Sequence, residues 1–160
     1  MTNNLELDTS DPRYSNVINI LKHFNFIQGE RVQWYQLFEE TFQKYTSTEI
    51  TYEQYQLDNH SLSLQSQQFK QQLKLMVNLL REKFKESNLA NLLEKVSDLE
   101  FEKFKLTANL QINKIKSEKG LGDYSEEINT DSNRINSIKS EIFEICEEIQ
   151  ENLTDLQELD

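Results

Sequence analysis

The sequence predicts an all-α protein, an elongated antiparallel helical bundle or coiled coil with three long helices and an acidic fourth. Three observations carry this. Glycine (three) and proline (one) are scarce in 160 residues, so little interrupts helix propagation. Apolar residues recur at alternating steps of three and four, the period of one helix face. Polar turns divide the chain into segments of roughly 30 to 36 residues, about 45 to 54 Å each at 1.5 Å per residue. Comparable lengths joined by short connections favour antiparallel neighbours.

The first helix is predicted to run from Pro12 to about Tyr45. Asp11 suits the N-cap and Pro12 the first helical position, where its missing N–H costs nothing. Residues 1–11 are read as a disordered N-terminus. Phe24, Gln28, Arg31, Tyr35, Phe38, Phe42 and Tyr45 form the stripe, which points Gln28 and Arg31 inward. Gly29 lies in the interior of this helix at a cost of about 1 kcal/mol against Ala, so it kinks the helix, admits a close neighbour, or is a tolerated surface position.

Residues 46–51 are polar and break the helix, and Thr51 with Gln54 has the spacing of a capping box. In the second helix Tyr55, Asn59, Leu62, Ser66, Phe69, Leu73, Met76 and Leu80 make a heptad seam with two polar interruptions. Glu86, Ser87 and Asn88 mark the next break. The third helix follows with Leu89, Leu92, Val96, Leu99, Lys103, Leu106 and Leu110, where Lys103 snorkels or meets an acidic neighbour. Gly120 and Gly122 close it, with Lys114, Lys116 and Lys119 suiting the negative end of its dipole.

The last segment, 123–160, places Ile128, Ile135, Ile138, Ile142, Ile145 and Ile149 on one seam, with Leu156 beyond. Isoleucine at both seam positions favours more than two strands in parallel assemblies. The expected organisation is a three-helix core over 12–119 and an acidic helix over 123–160. That helix either packs along the core or joins another chain as a homo-oligomer.

The net charge is −11. Residues 123–160 hold twelve acidic and two basic residues, or −10, and residues 1–122 hold sixteen and fifteen, or −1. Within Lys70 to Lys119 the balance reverses, with eleven basic against seven acidic residues. The acidic segment either lies against that basic surface or repels nucleic acid. One cysteine, Cys146, excludes an internal disulfide and a cysteine-based zinc site. The first dozen residues lack the features of a secretory or transit signal, and no apolar run approaches the roughly 20 residues of a membrane span. A protein of the nucleus or cytoplasm is expected, neither secreted nor in a membrane.

No chemistry-bearing constellation emerges. His23 and His60 have no ligand-spaced partner, and no phosphate-cradling loop or nucleophile elbow occurs. No enzyme activity, cofactor or metal is expected. Trp34, Tyr35, Tyr45, Tyr52 and Tyr55 gather on the first two helices and around the turn that joins them, which suits core packing ahead of a binding hot spot. Gln28, Glu30 and Arg31 are expected to form an internal polar network with Asn59, because a buried charge costs several kcal/mol unless paired.

The ordered set Gln28, Glu30-Arg31-Val32, Tyr35, Leu37-Phe38, Tyr45, Tyr52, Tyr55, Leu89-Ala90, Glu102-Lys103 and Leu106 to Gln111 resembles the required-for-excision 1-B family of DNA-repair proteins, over about residues 17–116. Thr41 and Phe42 depart from the family pattern, which tends to have Gly soon after the Phe of its first motif. The resemblance implies a role in excision of DNA damage without catalytic residues. Two functions follow: a repair accessory that scaffolds other proteins through its helical faces, and a general coiled-coil adaptor of a cytoplasmic or cytoskeletal complex. Direct DNA contact through the Lys70 to Lys119 surface is the weaker subtype of the first.

Overall fold

Local capping decides where the first helix starts. In the computed structural model, which describes residues 10–159, the chain opens with a 3-10 turn at Pro12–Tyr14. The Asp11 carboxylate accepts the Arg13 backbone N–H at 2.9 Å. Asn16 is then extended (φ −155°, ψ 173°) and its side chain accepts the Asn19 N–H at 2.8 Å, starting α1 at Val17–Thr46. Asp11 and Pro12 therefore cap a separate turn, which corrects the expected helix start. The break lets Tyr14, 4% exposed, meet His23 edge-on with ring centroids 5.3 Å apart. In one straight helix those residues would be separated by about 13 Å of rise. The disorder expected for residues 1–9 lies outside the described residues.

Helix α1 buries Ile20, Leu21, Phe24, Ile27, Arg31, Trp34, Phe38 and Phe42. Gly29 lies on its exposed side, and a Cβ built there meets nothing within 4 Å. The third sequence alternative holds, a tolerated surface glycine. Gly29→Ala is expected to raise stability by about 1 kcal/mol, read as a shift of the urea midpoint at unchanged slope. A loss of stability would show that this position is covered.

The turn into α2 (Tyr52–Asn78) puts Thr48 in the left-handed region at φ 63°, where the Glu49 N–H reaches back to the Lys44 carbonyl at 2.8 Å. A β-branched residue is strained there. Thr51 caps α2 by accepting the Gln54 N–H at 3.1 Å, while the Gln54 side chain donates to Asp58 at 2.8 Å. Half of the expected capping box forms.

Helix α2 passes directly into a wide π turn at Leu79–Lys83. Its looser winding turns Leu79 and Leu80 both inward, each 0% exposed. Lys85 ends it at φ 56°, and Arg81 braces the exit by donating to Glu94 at 3.1 Å and Asn91 at 2.9 Å. Helices α3 (Ser87–Glu118) and α4 (Ser125–Glu158) complete the all-α chain, with no strand among the described residues. No described helix is long and apolar enough to cross a membrane.

The chain groups into two compact units. One unit holds the chain up to Glu94 together with the segment from Glu148. There Ile149 (0% exposed) and Leu153 (4%) are buried, and Asn25 donates to Gln150 at 3.1 Å. The end of the acidic helix thus packs within its own chain.

The other unit, Lys95–Glu147, is a helical hairpin. Val96, Leu99, Ile135, Ile138, Ile142 and Ile145 are its buried apolar residues. Gly120 takes φ 69°, and the Leu121 N–H returns to the Lys116 carbonyl at 3.0 Å, a glycine-dependent helix end. Arg134 grips Glu102 through two bonds of 2.9 and 3.0 Å, which holds that carboxyl below its usual range. Lys103 meets Glu100 at 3.3 Å, the acidic neighbour that the seam lysine required.

Candidate functional site

The residues singled out by sequence lie along the contact of α1 with α2. Arg31 meets Phe69, Trp34 meets Leu62 and Tyr45 meets Tyr55, so α2 numbers fall as α1 numbers rise and the helices are antiparallel. Arg31 is 8% exposed and its guanidinium carbon lies 5.3 Å from the centre of the Phe69 ring. A desolvated contact of this kind stabilises by about 2 kcal/mol.

Trp34 is the better anchor. It is 3% exposed, stacks on Phe38 at 5.1 Å, meets Tyr35 edge-on at 4.8 Å, and donates its indole N–H to the Leu62 carbonyl at 2.8 Å. The stripe counted from Phe24 by four put Gln28 on the seam; Ile27, three residues on, takes that place at 1% exposed. Gln28, Glu30 and Tyr35 are half-buried beside the seam.

At the α1–α2 turn, Tyr45 stacks on Tyr55 at 4.7 Å, and Tyr52 lies 5.7 Å from Tyr45 and 6.4 Å from Tyr55. Tyr55 is buried, which pushes its phenol pKa up, while a hydrogen bond from Asn59 opposes that rise. Tyr52 is 52% exposed and forms the open side of the cluster. Asn59 therefore serves the tyrosines. It sits ten residues from Phe69 along α2, about 15 Å of rise, whereas the sequence expectation placed it in a network with Arg31. Antiparallel register puts Asn59 level with the C-terminal half of α1.

A second cluster forms around His23, which the sequence gives no ligand-spaced partner. His23 is 7% exposed, lies edge-on to Tyr14 and is stacked with Phe26 at 6.2 Å and 18°. Its Nε2 is buried without a hydrogen-bond partner among the described residues, a cost of about 1 to 3 kcal/mol. Tyr14 and His23 are nine residues apart, and only the 3-10 turn brings them together, so no spacing rule would have paired them.

Burial lowers the His23 pKa below 6.5, and the nearby Arg13 charge acts in the same direction against a smaller effect of Asp11. The folded state thus takes up the proton less readily than the unfolded chain. Stability from the neutral ring is complete above pH 6.5 and is lost as pH falls toward the folded pKa. Between pH 7.5 and 5.5, wild type is expected to lose more stability than His23→Phe in parallel urea titrations; equal slopes would remove the assignment.

None of these groups forms a nucleophile with a base. Among the described residues no cluster of His, Cys, Asp and Glu has the geometry to hold a metal. Cys146 is half-buried beside the isoleucine seam of α4. What the arrangement offers is two packed helices with aromatic anchors inside and large apolar side chains left outside.

Residues 19–114, more than half of the chain, match the sequence model of a protein family described as DNA repair REX1-B. The matched segment spans nearly all of α1, then α2, the π turn and most of α3, and leaves out α4. No curated protein and no solved structure matches the chain.

Proposed function

Because the chain belongs to the DNA repair REX1-B family, we propose that it is a non-enzymatic accessory in the excision of DNA damage, acting in the nucleus by holding other proteins on its helical faces. The family match is the observation that carries the repair role. The scaffold reading is supported by where the side chains go: Arg31, Trp34 and Tyr55 are committed to packing, while Leu57 (63% exposed) and Leu64 (49%) stand seven residues apart on the outer face of α2. Exposed apolar residues that recur on one face are the common raw material of protein contacts.

Deleting the gene should sensitise cells to ultraviolet or alkylating damage. Restoring the wild-type chain should rescue survival, and a Leu57→Glu, Leu64→Glu double variant that melts like wild type should rescue it poorly. Normal survival of the deletion strain would reject the repair role. An activity of the purified chain abolished by changing one carboxylate or histidine would reject the non-enzymatic part. Nuclear exclusion with capture of cytoskeletal proteins would favour the adaptor alternative.

A further inference from the structure

We propose that the cleft between the N-terminal 3-10 turn and the first turns of α1 receives a short acidic and apolar peptide segment of a partner protein, a carboxylate beside an aliphatic side chain. This rests on the protein-binding role above and names a site for it. The cleft has a volume of about 460 Å³ and is lined by Pro12, Arg13, Asn19, Lys22, His23 and Phe26. That lies within the range of small-ligand pockets, roughly 300 to 1,000 Å³, so it takes a few side chains and not a folded surface.

Each wall contributes a definite chemistry. Phe26 is 63% exposed and lies nearly parallel to the His23 ring, so it gives an aliphatic side chain an aromatic surface to cover. Lys22 is exposed. Arg13 uses Nε and Nη2 on the Asp11 carboxylate, at 3.0 to 3.2 Å and 2.7 Å, which leaves Nη1 for another acceptor. His23, more than nine-tenths buried, also lines the cleft and backs the Phe26 ring.

Charge decides between the two anionic occupants. Two cations against Asp11 leave one net positive charge, enough for one carboxylate. A nucleic acid brings one phosphate charge per roughly 1.7 Å of duplex, far more than one local positive charge can offset. The peptide fits the local balance and the polynucleotide does not.

The test uses the full chain and a fluorescein-labelled peptide of alternating aspartate and leucine residues, followed by anisotropy. Saturable binding is expected, with the matching asparagine peptide at least about tenfold weaker. Phe26→Ser and Lys22→Glu should each weaken binding about tenfold while leaving the thermal melt unchanged, since both side chains are exposed. Equal binding of the asparagine peptide, equal binding by both variants, or no saturation up to about 1 mM would overturn the proposal. Stronger binding of an oligo-thymidine strand, lost in the same variants, would overturn it in favour of nucleic acid. If partners purified with the intact protein persist with Phe26→Ser and Lys22→Glu combined, the cleft assignment fails and the scaffold role stands; normal survival of the deletion strain rejects the repair role independently.

Discussion

Trp34→Ala is expected to lower the unfolding free energy by about 3 to 5 kcal/mol, the cost of emptying a buried indole site. The ring is 3% exposed and stacks on Phe38, and it ties α1 to the Leu62 carbonyl of α2. Trp34→Phe separates these contributions. It keeps most of the ring and removes the N–H, so the loss should be nearer 1 kcal/mol, because the Leu62 carbonyl still accepts within its helix. Urea unfolding followed by far-UV circular dichroism reads both, independently of tryptophan fluorescence. A cost below about 1 kcal/mol for the alanine variant would mean that the site collapses without a cavity, outside the usual range for a buried aromatic.

The second large effect concerns the acidic helix. Ile149 is 0% exposed within the single chain, so Ile149→Ala should cost about 2 to 5 kcal/mol. The same substitution should leave the mass measured by light scattering unchanged. The opposite pattern, a changed mass at constant stability, would return this isoleucine to a seam between chains. Of the seam residues on α4, Ile128 and Leu156 are half-buried, and Phe143 is 63% exposed. Truncation after Gly122 should therefore unfold part of the chain, because it removes Ile138 and Ile149, both 0% exposed, at once.

These two predictions also mark what was legible beforehand. On the isoleucine seam of α4, Ile135, Ile138, Ile142, Ile145 and Ile149 are buried, while its outer members Ile128 and Leu156 are half-buried. A strict heptad leaves one choice of face. The α1 stripe was read with an offset, because aromatic and polar residues occupy both edges of a broad face and Ile27 and Gln28 are each compatible with it. Only packing against α2 chose Ile27 and brought Trp34 to the centre. The Thr51 cap, the Gly120 helix end and the Lys103 to Glu100 pair are local in sequence and were readable for that reason. The Tyr14, His23 and Phe26 cluster was not, since it depends on an extended residue at Asn16 that competes with an equally plausible start at Asp11.

By itself the sequence determined helix identity, the four segments, their polar turns and the family motifs, all of which depend on neighbours within a few residues. The tertiary structure decided which α1 residues form the centre of the contact, that Asn59 belongs to the tyrosines, that the end of α4 is consumed inside the chain, and that a cleft forms over His23. Each of these requires two segments to be placed side by side, and register between helices is set by side-chain packing over many residues at once.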